Sequence, residues 1–591
     1  MLSKDTLNKQ LISRRTFIIG VGKFAMLFLL SCRMFYMQFI KKDEYRTLSD
    51  KNRIKIIIIP PIRGQIFDRE NNIIVKNKTC FNLLLDKNKF SRSNKELDFI
   101  ANILELDAEH LERINKRIKK GSRRIPVIVI DCLDWRELSA IEERRAELDA
   151  ISIKTGYTRI YKNGANSAHI LGYLGMNTDN NKKQNHITQE ILKVGKSGIE
   201  KYYENGLNGE FGYKQIEVNA YGRYVRDLNK NDSISGNDLH LNIDSTLQEK
   251  IMPILPEKGC SAVVMDCTNG QILAMNSSPT FQPNNFNNLS QKYWNSLINN
   301  PYKPLINKTI QSLYPPGSPF KIIVILAALE AGLNPNDRYV CKGNPMIGNS
   351  FRCASRFGHG ALNMIEAIKT SCNIYIYEIA KIIGADKIIA MAKRFGLGQI
   401  TGIDLPGELS GFVPTKEWKK NKFGTKWTIG DTFNLSLGQG FLLVTPLQLT
   451  RMIAAIANNG KLFKPQIAKA EPEFTTIDIK QEYLDILKTG LYQTVNNLGG
   501  TSYRNRINYK SIKMAGKTGT AQVISKLNAN DDLNRADIAW NRRNHAIFLG
   551  FAPFKQPKFA ISVYFDHGGG GGKNATPIAK KIMQEILYKY F

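Results

Sequence analysis

The 591-residue sequence lacks the marks of a nucleic-acid-binding protein, although its charge is strongly basic. Lys and Arg number 83 against 52 Asp and Glu, which gives a net charge of +31. These residues are spread along the whole chain, without a dense basic arm or an Arg-rich block, and we find no nucleic-acid motif. The chain is rich in Lys, Ile and Asn throughout, and an acidic membrane surface would suit its charge equally well. The charge therefore does not choose a function class.

A second long apolar segment is also missing, as are internal repeats. The one long apolar run is Thr16 to Ile40, which is long enough to span a bilayer. Lys23 and Arg33 interrupt this run, but both lie near its ends and can extend to the headgroups. No clean cleavage site follows, so we expect an uncleaved anchor over residues 17–40 after a cytoplasmic tail over residues 1–16. Everything after the anchor is then expected on the outside.

Other interpretations of this segment stay open. Arg14 and Arg15 resemble a twin-arginine export signal, and Cys32 resembles a lipoprotein cleavage site. The positive-inside rule gives the orientation only weakly, because basic residues stand on both sides: Lys4, Lys9, Arg14 and Arg15 before the run, and Lys41, Lys42 and Arg46 after it.

The remainder of the chain divides into two parts. Residues 41–235 read as a mixed α+β region, with a hairpin around Glu70-Asn71-Asn72 and helices over 86–150. The polar run 229–238 is the most linker-like segment, and a second domain is expected over 236–591. That domain opens with a hairpin around Thr268-Asn269-Gly270 and returns to strands near its end. Strands at both ends of a helical middle predict one sheet covered by helices, closed by distant segments.

The stretch "YPPGSPFKIIVILAALE" predicts a buried helix with a lysine at its start. Ser318 is a good N-cap and Pro319 fits the first helical position. From Ile322 to Leu329 every residue is apolar, which predicts burial on all sides. A partly desolvated Lys321, one turn after Ser318, has a lowered pKa and can act as base for a serine nucleophile. A capping serine and a lysine that extends to water are the alternative.

Two later segments change the balance between these alternatives. "TSCN" contains Ser371 and Asn373, and "KTGT" contains Lys517, Thr518, Gly519 and Thr520 in a predicted strand. Taken alone, the first could be a helix N-cap and the second an edge strand. The order S-x-x-K, S-x-N, K-T-G resembles the signature of penicillin-binding proteins and class A β-lactamases. Together the three motifs indicate an acylating serine enzyme.

The resemblance extends along nearly the whole chain after the anchor. "RGQIFDR", "GKSGIEKYYE", "YPPGSPFK", "GHGALNMIEAI", "TGIDLPGELSG" and "SLGQGFLLVTPLQLT" resemble the class B penicillin-binding proteins. The short tail, "CRMFYMQFI" and "GHG" are most similar to the elongation-specific branch, penicillin-binding protein 2. The division-specific branch, penicillin-binding protein 3, is the nearest alternative.

This resemblance implies a fold and a mechanism. The fold would be mixed α/β: a membrane anchor, a non-catalytic α+β pedestal and a β-lactamase-like transpeptidase domain with a five-stranded antiparallel sheet. Ser318 would attack the penultimate D-alanine of a peptidoglycan stem peptide, and Lys321 would take its proton. Ser371 would relay a proton to the leaving amine, and Asn373 would hold Lys321 and the substrate amide. Backbone N–H groups of Ser318 and Thr520 would form the oxyanion hole.

The resemblance also assigns the third motif and the partners. Lys517 would supply a positive field for the substrate carboxylate, Thr518 or Thr520 would bind it, and Gly519 would let the strand approach the acyl group. β-Lactams would acylate the same serine. Partners implied are a RodA-type glycosyltransferase and an MreC-type scaffold, with the catalytic domain in the periplasm.

Eight cysteines are present, and three of them stand near these motifs with one histidine: Cys341, Cys353, His359 and Cys372. Three thiolates and an imidazole make a closed tetrahedral zinc set. A disulfide with one thiol left over is the alternative. The resemblance favours zinc, since some elongation-type members resemble this pattern with aspartates at some positions. The other five, Cys32, Cys80, Cys132, Cys260 and Cys267, are expected in the anchor or the core.

Functions of other classes remain as alternatives. A β-lactamase would need a group that activates a deacylating water, and no Glu-x-x-Leu-Asn follows Ser371. A membrane β-lactam sensor would need further spans or a signalling domain. A catalytically silent cell-wall scaffold would keep the motifs without the chemistry, and D,D-carboxypeptidase action could accompany transpeptidation.

Overall fold

The computed structural model describes residues 14–43, 53–87, 89–90, 95–120, 126–177, 193–219, 224–344, 346–347, 351–523 and 538–591. The predictions that concern Lys4, Lys9 and Arg46 lie outside these residues. The chain forms two compact units: Met1–Ile62 with Gly209–Ser235, and Arg63–Asn208 with Gly236–Phe591.

The first unit contains the apolar segment and a small sheet. A helix over Arg14–Phe35 continues as a π turn over Tyr36–Ile40, and the stretch Phe17–Ile40 is long and apolar enough to cross a membrane, with none of it buried in protein. This fits a single-pass anchor. The sheet consists of three antiparallel strands, with Gly212–Val218 between Ile54–Ile59 and Tyr224–Asn231.

The last of these strands corrects the linker prediction. Residues 229–231 belong to the strand Tyr224–Asn231, and Ile234 forms a β-bridge with Glu210. Part of the polar run 229–238 is therefore sheet, because an exposed edge strand can be polar on both faces.

The second unit begins with a twisted antiparallel sheet packed on helices. Its long strand Ile73–Leu85 pairs with Ile66–Phe67, Val127–Leu133 and Ile151–Tyr161, and the short strand Leu239–His240 runs parallel to Ile66–Phe67. The helices are Lys95–Ile103, Ala108–Lys120 and Trp135–Glu143. The predicted hairpin around Glu70-Asn71-Asn72 is confirmed. The all-helical prediction for 86–150 is wrong, since the apolar run at 127–133 is a strand.

Two predicted core cysteines form a disulfide. Cys80 and Cys132 are bonded, with their Cα atoms 4.9 Å apart, because the strands Ile73–Leu85 and Val127–Leu133 are neighbours in this sheet. The sequence separation of 52 residues gave no sign of that pairing. Cys260 and Cys267 are buried thiols, as predicted, and Cys32 lies on the anchor helix.

A buried ion network joins the two motif segments of this region. Glu200, which follows a strand pair of Leu174–Met176 and Lys193–Gly195, is fully buried. Its carboxylate accepts hydrogen bonds from Arg63 Nε at 2.7 Å and from Arg159 Nε at 2.8 Å. Arg63 also donates to Glu204 at 2.8 Å. The segments "RGQIFDR" and "GKSGIEKYYE" are thus held together by charge inside the protein.

Replacing Glu200 with alanine is expected to lower the free energy of unfolding by about 3 kcal/mol, because the buried Arg159 loses its carboxylate partner and Arg63 keeps only Glu204. Lys201→Ala, one residue along the same short helix and exposed, is the matched control and should change it by less than about 0.5 kcal/mol. Urea unfolding measures both. Equal values for the two variants would contradict a stabilising role of the network.

The central sheet of the second unit has five antiparallel strands: β1 (Cys260–Asp266), β2 (Ile272–Ser278), β3 (Ala515–Ala521), β4 (His545–Ala552) and β5 (Phe559–Phe565). Their order is β2-β1-β5-β4-β3, so the first hairpin pairs with strands from the far end of the chain. The predicted fold class, closed by distant segments, is confirmed. Strand β3 lies at one edge.

Helices cover both faces of this sheet. Successive residues along a strand point to opposite faces, so they pack into two separate cores. Val263 and Met265 face the core that holds the helix Lys321–Glu330, while Ala262 and Val264 face the core of the last helix, Thr576–Tyr590. The remaining helices of eight or more residues are Gln291–Ile298, Asn373–Arg394, Lys416–Phe423, Ile429–Ser436, Pro446–Ala457 and Gln481–Asn496.

Candidate active site

The serine of the first motif lies in a tight turn before the apolar helix. Gly317 has φ 59° and ψ −147°, a backbone conformation that favours glycine. Ser318–Phe320 form a 3₁₀ turn, and the α-helix begins at Lys321 with Phe320 at its N-cap. The predicted N-cap role of Ser318 is therefore wrong, because the first turn is tightened to 3₁₀. The predicted burial of Ile322–Leu329 on all sides is confirmed.

The amine of Lys321 is buried and reaches the second motif. Its Nζ donates to the backbone oxygen of Ser371 at 2.8 Å, to Ser371 Oγ at 3.2 Å and to Asn373 Oδ1 at 2.7 Å. Fifty residues of sequence separate Lys321 from Ser371, so only the fold brings them together. These contacts orient the amine at the start of the helix, one turn after Ser318.

A sharp turn presents both side chains of the second motif to that amine. Ser371 ends the helix Met364–Thr370 in the left-handed conformation, with φ 57° and ψ 39°. Cys372 is the N-cap of the next helix, which begins at Asn373. The reversal places Ser371 and Asn373 on Lys321, while the intervening Cys372 is fully buried with its thiol 4.0 Å from that of Cys353.

The third motif occupies the edge strand β3, next to the serine turn. A Cβ atom on Gly519 would lie 2.5 Å from Pro319 Cδ, and one on Gly317 would lie 3.0 Å from Thr520 O. Ser318 stands between Gly317 and Pro319, so it is beside Gly519 and Thr520. Only a glycine at 519 allows this approach. The structure thus brings together all eight residues predicted from the three motifs.

Burial changes the charge balance of the two lysines. Desolvation lowers the pKa of Lys321 from 10.5 to about 8. Burial lowers the pKa of Lys517 well below its usual value, and repulsion from Lys321 adds a smaller lowering. Repulsion between two neighbouring buried ammonium groups favours a state in which only one of the two lysines is charged. An anion beside Lys517 would hold the proton there and leave Lys321 as a free amine.

Two glycine segments complete the site without having been predicted to do so. The backbone N–H of Gly317 donates to Gly438 O at 2.9 Å, and Gln439 Nε2 donates to Thr520 O at 3.4 Å. The run 568–572 reads as a mobile loop in the sequence. In the structure Gly571 is buried, and its N–H donates to Thr520 Oγ1 at 3.2 Å. The only sequence signal was the density of glycine.

The four predicted metal ligands form one cluster. Ligand atoms of Cys341, Cys353, His359 and Cys372 all lie within 4.8 Å of one another. His359 Nδ1 is 3.6 Å from Cys341 Sγ and 3.4 Å from Cys353 Sγ. A tetrahedral zinc with Zn–S of ~2.3 Å and Zn–N of ~2.0 Å needs separations of about 3.5–3.8 Å. The donor types and the two histidine distances are therefore compatible with zinc, while the separation of 4.0 Å between the thiols of Cys353 and Cys372 is slightly longer than bound zinc requires. All three thiols are free in this structure.

Two family models match this chain, one in each of its two main parts. Residues 260–584 match the family model described as the penicillin-binding protein transpeptidase domain. Residues 58–241 match the model described as the penicillin-binding protein dimerisation domain.

Curated relatives match over nearly the whole chain. Peptidoglycan D,D-transpeptidase MrdA of Haemophilus influenzae is 32% identical over 602 residues, covering 98% of this chain and 92% of the relative. The Escherichia coli K12 protein of that name is 30% identical over 605 residues, covering 98% of this chain and 94% of the relative. Among solved structures, a complex of penicillin-binding protein 2 and MreC from Helicobacter pylori matches with a TM-score of 0.81 and 29% identity, covering 91% of this chain and 99% of that one.

Proposed function

Since the chain belongs to the class B penicillin-binding proteins and is a peptidoglycan D,D-transpeptidase of the elongation type, we propose that Ser318 is the nucleophile of its acyl-enzyme. Ser318 Oγ attacks the carbonyl carbon of the penultimate D-alanine in a stem peptide and expels the terminal D-alanine. The amine of a neighbouring stem peptide then attacks the ester, releases Ser318 and forms the cross-link. Water in place of that amine gives D,D-carboxypeptidase action.

The contacts of Lys321 carry this proposal. Its free amine takes the proton of Ser318 as the acyl bond forms. Ser371 Oγ, 3.2 Å from the amine, passes a proton toward the leaving amine of D-alanine. Asn373, at 2.7 Å, fixes the position of Lys321 and offers its amide group to the substrate backbone.

The edge strand β3 binds the end of the substrate. Lys517 supplies positive charge for the terminal carboxylate, and the hydroxyls of Thr518 and Thr520 donate to it. The backbone N–H groups of Ser318 and Thr520 bind the oxyanion of the tetrahedral intermediate. The close packing of Gly519 on Pro319 supports this assignment, because it sets the serine turn directly beside the third motif.

We propose the following division of the chain: a cytoplasmic tail over residues 1–16, an anchor over 17–40, a non-catalytic pedestal over 41–235 and the transpeptidase domain over 236–591. The family matches at 58–241 and 260–584 support the order of the last two. The Cys80–Cys132 disulfide supports a periplasmic location, since disulfides persist outside the cytoplasm.

We propose two protein partners for the anchor and pedestal. The H. pylori relative forms a complex with MreC, which supports an MreC-type scaffold as a partner of this chain. A RodA-type glycosyltransferase would supply the glycan strands that the transpeptidase cross-links.

We also propose that Cys341, Cys353, His359 and Cys372 hold a structural zinc ion. With four protein ligands the site has no open position, so the metal would stabilise the fold and take no part in acyl transfer. Asn373 Nδ2 donates to Arg352 O at 3.0 Å, and Arg352 precedes the ligand Cys353. The metal would therefore hold the second motif in place from behind.

The intact mass of the purified protein, followed for hours after addition of benzylpenicillin, tests the proposed function. We expect a persistent adduct of one drug molecule, mapped by proteolysis to the peptide that contains Ser318. Rapid return to the starting mass with consumption of the drug would indicate a β-lactamase. Absence of any adduct would favour a catalytically silent scaffold, which keeps the motifs but has lost the acylation chemistry.

A further inference from the structure

Thr501 lies outside all three motifs but contacts the third motif and the segment before the second. Its Oγ1 is 2.8 Å from Thr518 Oγ1 in the edge strand β3, in a pair where either hydroxyl can donate. Its backbone N–H donates at 3.3 Å to the carbonyl of Lys369, two residues before Ser371. The side chain itself is exposed. Thr501 thus connects the segment before the second motif with the strand of the third.

The hydroxyl protons of the two strand threonines have to point toward the substrate. A hydroxyl has one proton and two acceptor lone pairs, and it donates to a carboxylate only if that proton is not used elsewhere. The N–H of Gly571 donates to Thr520 Oγ1 at 3.2 Å. Because that contact uses a lone pair of Thr520, the Thr520 proton stays available. Thr518 needs a donor that does the same.

The surrounding loop is built to keep these donors in place. Asn505 Nδ2, in the turn that follows Thr501, donates to Gly572 O at 3.1 Å. A Cβ atom on Gly571 would lie 1.9 Å from Gly519 O, so the glycine run packs directly on β3. The loop of Thr501 and the glycine run therefore contact each other and support the same strand.

We propose that Thr501 is a positioning residue for recognition of the substrate carboxylate. Its hydroxyl donates to Thr518 Oγ1, and this directs the Thr518 proton toward the carboxylate that ends the donor peptide or the β-lactam. The inference rests on the proposed function and extends it: Thr501 makes acylation of Ser318 selective for ligands with a free carboxylate.

Acylation rates of three proteins with two ligands test this proposal. The proteins are the wild type, Thr501→Val and Thr501→Ser; the ligands are benzylpenicillin and its methyl ester, both followed by intact mass. Thr501→Val should be acylated by benzylpenicillin about tenfold more slowly, because an oriented hydrogen bond to a charged group is lost. With the ester its rate should stay within about twofold of the wild type. Thr501→Ser keeps the donor and should match the wild type with both ligands.

A double variant separates positioning from a general effect. Thr501 acts through Thr518 in this proposal, so Thr501→Val combined with Thr518→Val should be no slower than Thr518→Val alone. Wild-type rates for Thr501→Val, an equal loss with acid and ester, or additive losses in the double variant would each overturn the role of Thr501. A wild type that neither ligand acylates would overturn the proposed function itself, and the inference with it.

Discussion

Replacing Lys321 with alanine is expected to slow acylation of Ser318 by benzylpenicillin about 1000-fold, the usual contribution of a positioned general base. The amine of Lys321 stands at the start of the nucleophile helix and is oriented by Ser371 and Asn373. Burial makes it available as a base, because desolvation favours its neutral form. Intact mass against time measures the rate constant, and Ser318→Ala gives the background.

The pH dependence distinguishes loss of a base from a general disturbance of the site. The pKa of Lys321 is about 8, and only its neutral form accepts a proton. In the wild type the acylation rate should therefore rise with pH up to about 8 and then level off. In Lys321→Ala this rise should disappear.

A matched lysine substitution completes this test. Lys381→Ala removes an exposed lysine from the helix that begins at Asn373 and should leave both the rate and its pH profile unchanged. A Lys321→Ala variant that retains more than about a tenth of the wild-type rate would show that another group takes the proton of Ser318.

The catalytic residues could be predicted from sequence because each motif carries its own local pattern. Eight consecutive apolar residues, Ile322–Leu329, indicate the helix that begins with Lys321. The Thr-rich strand segment around Gly519 indicates the third motif. Their order along the chain then agreed with one known signature. The contact of Lys321 with Ser371 itself could not be read from spacing, since it depends on how two helices separated by fifty residues pack.

The residues that prediction missed act through tertiary contacts alone. Thr501 lies in a turn and Gly571 at the start of a π turn, neither of which has a periodic sequence pattern, and their roles depend on which strand they touch. Cys80 and Cys132 became neighbours only when two strands paired, so single-sequence reasoning treated them as core residues. The start of the helix at Lys321 was misplaced for a related reason: an N-cap serine and a 3₁₀ turn share the same Ser-Pro signal.

Replacing Cys353 with alanine is expected to abolish binding of the proposed zinc and to lower the free energy of unfolding by about 4 kcal/mol, since loss of a metal is among the mechanisms with the largest effects on stability. Its Sγ lies 3.4 Å from His359 Nδ1 and 4.0 Å from Cys372 Sγ, so it contributes to two sides of the ligand cluster. Zinc content should fall from one ion per chain to none. Chemical unfolding and native mass spectrometry measure the two effects.

The matched control is Cys267→Ala, which also removes a buried thiol but lies outside the cluster. This variant should keep the zinc, and its free energy of unfolding should fall by only about 1 kcal/mol, the usual effect of a small core truncation.

A disulfide in place of the zinc would give a different chemical result. Alkylation of the unfolded, unreduced protein should label Cys341, Cys353 and Cys372 and leave only Cys80 and Cys132 protected among the cysteines of the described residues. Protection of Cys353 together with Cys372 would contradict the metal. Because Cys372 stands between Ser371 and Asn373, loss of zinc should also slow acylation of Ser318. That slowing should be smaller than the effect of Lys321→Ala, since the proposed zinc would hold the second motif in place but would take no proton.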